Sequence, residues 1–387
     1  MKKLIPWLIL GLIIRILLIP IALHPDIRGH NLAAYFISQK NQWLTFYDHL
    51  RLLPRNDHLV ELYTDGLFIY PPLAYWIHGA FMKVLGWAYP WDTFWMLIND
   101  IGRARDQSGF ALLMFLLKLP YFVADILGLV IIGKLFSDKQ RFWAVILWWF
   151  NPITIYSAYL IGQFDIYIAV LILASIYLYS KQKAIFSAIC LGLAAGFKPF
   201  PLVLIPLLGI TLKEKIKLSV IGFATYGLFL LPYLNSTGFK HYALLAQQSD
   251  KPFYARVMVS GSQYLPLFLV GLVFMLWANY FNVGKIPIWK WFAGPLLWFY
   301  GLSHFHPQWF TWVVPVLILW CIDKPKLWPV FTVVLLTFIT IVFSFEPSLN
   351  FGLFNINYQL NISDANISIV RAGLLGSIIW LLRELVL

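Results

Sequence analysis

The sequence predicts an all-α fold: a polytopic membrane bundle of about 12 transmembrane or half-spanning helices, with a large first extracytoplasmic loop carrying interfacial helices. Three observations predict it. Runs such as Leu4 to Leu23 and Phe110 to Ile132 have roughly the 20 apolar residues that cross a bilayer. The chain is 60% hydrophobic and only 12% charged, so a water-facing surface is hard to build from it. Short basic clusters punctuate the apolar runs, at 137–141, 181–183, 213–217, 285–290, 323–326 and 383. Where the hydrocarbon holds no water, backbone groups must pair within each span, which selects helices.

The elements follow in order. Lys2 and Lys3 make a basic start, but no small-x-small cleavage site follows, so the first span (about 4–22) is expected to be retained. Basic residues near span ends tend to stay cytoplasmic. Placing every cluster inside gives one threading, in which span 1 runs outward and residues 23–109 lie outside. Spans are expected at about 110–136, 142–158 and 165–180. The segments 184–197 and 199–212 follow, joined at Lys198-Pro199. About 14 residues give roughly 21 Å at helical rise, short of a 30 Å core, so this pair reads as broken and dipping to the outer face. Span 7 (about 218–234) leads to a polar loop, Asn235 to Ser262. The remaining spans fall at about 264–283, 287–304, 308–322, 327–345 and 367–383, which brings both termini inside. The threading requires that 68–86, which opens on Tyr70-Pro71-Pro72, lies in the outer interface rather than crossing. Residues 1–387 then form a single integral membrane domain, without a fixed-period repeat.

The net charge of +12 is explained by topology, so no nucleic-acid partner is expected. Cys190 and Cys321 both sit in apolar stretches, so no disulfide is expected. The ionisable groups gather early. Residues 23–109 hold 8 of the 17 acids and 5 of the 8 histidines. A minimal linker would not need about 85 residues, which makes this loop the expected seat of function.

On this threading several polar groups converge on the outer membrane face. Asp26 lies just past span 1, Gly162-Gln163-Phe164-Asp165 at the 3–4 turn, Lys198 at the tip of the short pair, and Ser303-His304-Phe305-His306-Pro307-Gln308-Trp309 at the 9–10 turn. A carboxylate can take a proton from an acceptor hydroxyl while cations offset a departing phosphate. Each residue also has a plainer role: Asp26 as a solvated loop acid, Lys198 as a snorkelling cation, His304 and His306 as helix caps, Gln163 and Asp165 as turn formers. Arg15 and Asp125 fall within spans and are expected to pack against bundle partners. No Gly-rich phosphate loop, zinc spacing or hydrolase serine elbow stands in a workable position. A soluble nucleotide-binding domain is not evident either, so any activated donor is expected in the lipid.

At these residues the chain resembles the GT-C superfamily of multi-span glycosyltransferases, which use polyprenyl- or dolichyl-phosphate sugars. The resemblance covers roughly residues 1 to 320: the acid after span 1, Tyr-Pro-Pro-Leu at 70–73, Gly-Gln-x-Asp at 162–165, Gly-Phe-Lys-Pro at 196–199, and His-Pro-Gln-Trp at 306–309 followed by Trp312 and Pro315. It implies an inverting transferase moving a hexose, with mannose as the candidate, from a polyprenyl-phosphate donor to a lipid-linked or glycan acceptor. Asp26 resembles the general base. Lys198, His304, His306, Gln308, Tyr70, Gln163, Asp165 and Arg28 resemble donor-phosphate or substrate-binding residues. Several relatives carry Asp-x-Asp in the first loop. Here the second position is Arg28, so transfer without a metal or cofactor is expected. The expected setting is a prokaryotic plasma membrane, less so the endoplasmic reticulum, with the protein a monomer among membrane lipids. The rivals are a transporter or lipid flippase, which the short pair at 184–212 would suit, and a membrane acyltransferase, which would need an acid beside His304.

Overall fold

The computed structural model describes residues 2–244, 246–303, 305–344 and 362–383. It is mostly helical, with one small two-stranded sheet. Among the described residues four helical stretches are long and apolar enough to cross a membrane: Phe110–Leu135, Leu212–Tyr233, Pro325–Phe343 and Asp364–Leu382. Together with the shorter apolar helices they make this an integral membrane protein. The expected count of about 12 spans is not reproduced as 12 long helices, because prolines and caps cut several of them.

The cuts have local causes. The expected third span becomes the helix Asp138–Trp149, a turn at Pro152–Ile155 and a π-helical turn Tyr156–Leu160. Asn151 starts the second piece, its Oδ1 accepting the backbone N–H groups of Ile153 and Thr154 at 3.0 and 3.2 Å. A residue before proline also disfavours helical dihedrals. The short pair is the helix Ala184–Ala195 followed by the 3-10 helix Phe200–Leu207. Pro199, Pro201 and Pro206 lack the N–H that an α-helix would need there. Lys198 thus sits at a break, as the sequence requires. Thr211 then opens Leu212–Leu230 with a capping box, its side chain bonding Glu214 and being bonded in return.

The helix Ile5–Leu18 is inside out by the standards of a soluble protein. Ile5, Ile9, Ile13, Ile16 and Leu17 are exposed, whereas Gly11 and Arg15 are buried. Apolar side chains outward and the charge inward is the pattern of a helix facing lipid. Arg15 donates to Asp125 across 2.8 Å with both side chains fully buried, and its guanidinium lies 3.5 Å over the Trp149 ring. Asp125 also accepts from Trp148 Nε1 at 2.8 Å and from the Tyr159 hydroxyl at 2.7 Å. These two intramembrane charges do pack against bundle partners. Gly11 is needed here, since a Cβ would meet the Trp149 ring at 2.0 Å.

The first loop is folded rather than strung out. Helix Asp26–Gln39 packs on helix Leu73–Leu85, with Gly79 against Ile37. Ala74, Tyr75, His78 and Met82 are buried while Ala80, Lys83 and Val84 are exposed, so one face of this segment packs into the protein and the other faces outward. His78 Nε2 meets the Tyr167 hydroxyl at 3.3 Å. The loop is latched to the segment after Leu212–Leu230. Asp48 accepts the Gly238 amide at 2.6 Å, Tyr242 donates to Asp65 at 2.8 Å, and Trp76 donates to the Tyr233 hydroxyl at 2.7 Å. Within the expected polar loop 235–262 lies strand Arg256–Ser260, which pairs antiparallel with Gln263–Pro266. The hairpin was not foreseen.

Candidate functional site

Helix Asp26–Gln39 begins directly after His24-Pro25, and the His24 amide bonds Ile161 O at 2.9 Å. That bond sets the start of the first loop against the Ile161–Asp165 turn. Gly162 makes the turn with φ +71°, a left-handed conformation that side chains disfavour. A Cβ there would stand 2.9 Å from Ile27 Cδ1 and 3.1 Å from Lys118 Cε. As a result Gln163 Nε2 donates to Asp26 Oδ2 at 3.2 Å. His24 Nδ1 lies 3.3 Å from the same oxygen and accepts the Asp26 amide at 3.2 Å. That nitrogen holds either the lone pair that takes the amide or a proton for the carboxylate, never both.

Asp26 is 41% exposed in its side chain, towards a polar cavity of about 430 Å³ lined also by His24, His30, Tyr70, His306 and Gln308. Burial works to raise its pKa, but the His24 bond and charge, His30 and the Gln163 bond outweigh it, so the carboxyl titrates below its usual range. The group is an anion at all ordinary pH values. His30 follows Asp26 by four residues on the same helix face. It is packed among the rings of Phe164, Tyr70 and Tyr75 at 4.9, 5.5 and 6.2 Å. Burial pushes His30 down to about 4, with Lys198 and His24 adding to the drop and Asp26 opposing it. Its Nδ1 and the buried Oε1 atoms of Gln163 and Gln308 have no protein partner, so the site holds unused polar capacity.

Lys198 faces a second, apolar cavity of about 420 Å³ lined by Pro71, Phe200, Leu272, Phe299 and Trp312 among others. The two cavities share Ile69, Tyr70 and Trp309 in their walls, so they adjoin. Lys198 Nζ is not an open cation. It bonds Asp165 Oδ1 at 2.7 Å, and the same oxygen accepts Trp312 Nε1 at 2.7 Å. Four rings surround the ammonium, those of Phe164, Trp309, Tyr70 and Trp312 at 4.8–5.4 Å.

The residues singled out from sequence are therefore largely brought together. Asp26, Tyr70, His306 and Gln308 share the polar cavity, Gln163 holds Asp26, and Asp165 holds Lys198 behind the apolar one. Arg28 stands aside, its guanidinium 5.4 Å over the Tyr63 ring. His304 lies outside the described residues. His24, His30 and Lys118 were missed. The first two had a signal in their spacing around Asp26; Lys118 had none. Its Nζ donates to the carbonyls of Ile19, Ala22, Tyr159 and Leu160 at 2.5–3.1 Å, tying the chain before His24 to the chain before Gly162. Among the described residues no group of three or more His, Cys, Asp or Glu side chains could hold a metal ion.

A pH prediction follows from His30. An unfolded histidine takes a proton near pH 6.5, whereas His30 in the fold waits until about 4. Between those values the unfolded chain binds more protons, so stability must fall as pH falls, by at most about 1.4 kcal/mol per pH unit from this group. Buried His78, pushed down to about 3, acts in the same direction. Thermal melting of the purified protein from pH 7 to 5 should show the decline, and His30→Asn should remove part of it. A slope unchanged by that substitution would contradict the assignment.

The family described as GPI transamidase subunit PIG-U matches residues 9–312 of the 387-residue chain. No curated protein and no solved structure matches it. The family match narrows the resemblance to the GT-C superfamily to a kinship with GT-C-like membrane proteins. It overturns the expected hexosyltransferase and the transporter or flippase alternative, because a GPI transamidase subunit serves the attachment of proteins to lipid anchors. The polyprenyl-phosphate sugar and glycan acceptor are replaced as expected partners by other protein subunits, which also removes the expectation of a monomer. The chemical meaning of the motifs was taken from the wrong branch of similar proteins. The chain belongs to the PIG-U family of GPI transamidase subunits.

Proposed function

We propose that the chain is a membrane subunit of an enzyme that joins proteins to GPI anchors, and that its two adjoining cavities receive the anchor. The observation that carries this reading is their contrast across a shared wall. One is polar, with an anionic carboxylate, three histidines and a glutamine; the other is apolar and aromatic. A glycolipid has the same division, and each half would meet groups it can bond or bury against. Asp26 would accept from head-group hydroxyls and Gln308 would donate to them, with His24 and His306 completing the polar wall and Gln163 holding the Asp26 carboxylate from behind. Phe200, Leu272 and Phe299 would cover the chains. Lys198 and Asp165 would shape the wall between them, Tyr70 would span both halves, and no cofactor is assigned. On this reading residues 1–387 form one integral membrane unit, with 23–109 on the lumenal side of the endoplasmic reticulum.

A photoreactive GPI analogue tests the reading in the purified complex. Leu272→Trp puts a large ring into the apolar cavity while leaving the polar one untouched. Labelling of this chain should fall at least about tenfold, equivalent to about 1.4 kcal/mol, while the co-purifying subunits stay the same. Unchanged labelling would refute the anchor-binding role.

A further inference from the structure

The wall of the polar cavity is acidic. Among the described residues Asp26 is its one carboxylate, and no lysine or arginine lines it. Two cations stand near but outside the lining. Lys198 lies 5.4 and 5.3 Å from the Tyr70 and Trp309 rings, faces the apolar cavity, and is paired with Asp165 at 2.7 Å. The Arg28 guanidinium lies over the Tyr63 ring. His24 brings no charge while its Nδ1 accepts the Asp26 amide at 3.2 Å, since that bond needs a lone pair.

The unused polar atoms of the wall agree with this charge. Asp26 Oδ2 takes the Gln163 amide, whereas Oδ1 accepts no bond among the described residues and the side chain is partly exposed to the cavity. His30 and Gln308 both line the cavity and are more than nine-tenths buried, yet His30 Nδ1 and Gln308 Oε1 have no protein partner. His30, pushed down to about 4 by burial, is neutral at ordinary pH, so its ring offers a lone pair rather than a cation. A carboxylate oxygen, an amide oxygen and an imidazole lone pair make three acceptors, one of them charged. A primary ammonium brings three N–H donors and the opposite charge. A hydroxyl would leave the charge unanswered, and Asp26 would repel a phosphate or a carboxylate.

We infer that the polar cavity selects a primary ammonium group, held by Asp26 Oδ1 with Gln308 and His30 as further acceptors. The inference rests on the anchor-binding reading for its ligand, the ammonium being one carried by the anchor's head group.

Two photoreactive GPI analogues test it in the purified complex, one with its amines free and one with each amine replaced by a hydroxyl. The amine form should label this chain at least about tenfold more strongly, as a charge-assisted bond allows. Asp26→Asn keeps the shape of the side chain and should bring the ratio close to one. Gln308→Leu removes a neutral acceptor and should lower the ratio by a smaller factor; it serves as the second variant if Asp26→Asn assembles poorly. Asp92→Asn, at an exposed acid that lines neither cavity, should leave the ratio as it is. Methylammonium chloride should compete with the amine analogue where sodium chloride at the same concentration does not. Equal competition by the two salts would overturn the ammonium assignment in favour of a general cation site. Equal labelling by the two analogues, or a preference that survives Asp26→Asn, would overturn the inference and leave the anchor-binding reading standing. Failure of both analogues to label the chain would instead overturn that reading, and this inference with it.

Discussion

Lys198→Met is expected to destabilise the fold by about 3–5 kcal/mol, the usual cost of leaving one member of a buried ion pair alone. The orphaned partner would be Asp165, whose side chain is fully buried and whose Oδ2 already lacks a protein partner. Trp312 would still donate to Oδ1, but one neutral donor does not replace an ammonium. The double variant Lys198→Met with Asp165→Asn removes both charges and should recover most of the loss. Melting curves of the two single variants and the double variant in one detergent complete the cycle. If Lys198 served only an incoming phosphate, Lys198→Met would melt like the parent and the double variant would show no recovery.

That pairing also marks where the site stops being legible in the sequence. The convergence of Asp26, Gln163, Lys198 and the 306–309 turn was legible, because each sits where a span ends on the same side of a consistent threading. The internal pairing of Asp165 with Lys198 was not. Both stood at the outer ends of different helices, and nothing in a linear pattern says that two polar groups will satisfy each other rather than a ligand. Helix lengths were misread where proline and asparagine restart the chain, as at Asn151-Pro152 and Pro199-Phe200-Pro201, since hydropathy carries through such breaks. The folding of the first loop was hidden for the opposite reason. Its polarity suggested exposure, whereas Asp48, Asp65 and Trp76 spend their polar groups on the segment 233–242. The functional class was misread because the motifs fix a cavity shape and a set of polar groups, and proteins of one architecture put such a cavity to different uses.

Lys118 is the residue whose loss should disturb the site most, although it touches neither cavity. It lies within helix Phe110–Leu135, fully buried, and four carbonyl oxygens from two separate stretches converge on its ammonium. Ile19 and Ala22 lead into His24 and Asp26, while Tyr159 and Leu160 lead into Gly162 and Gln163. The Asp26–Gln163 bond is therefore made between two strands of chain that Lys118 holds in register. Lys118→Met preserves length and apolar bulk but strands four buried acceptors; at about 1–3 kcal/mol each the loss should reach about 4 kcal/mol or more. A purely structural role would lower the melting temperature alone. As a positioning residue, Lys118 should also lose labelling by the photoreactive anchor analogue at temperatures where circular dichroism shows the variant still helical. Parental melting and parental labelling together would show that the two stretches find their register without it.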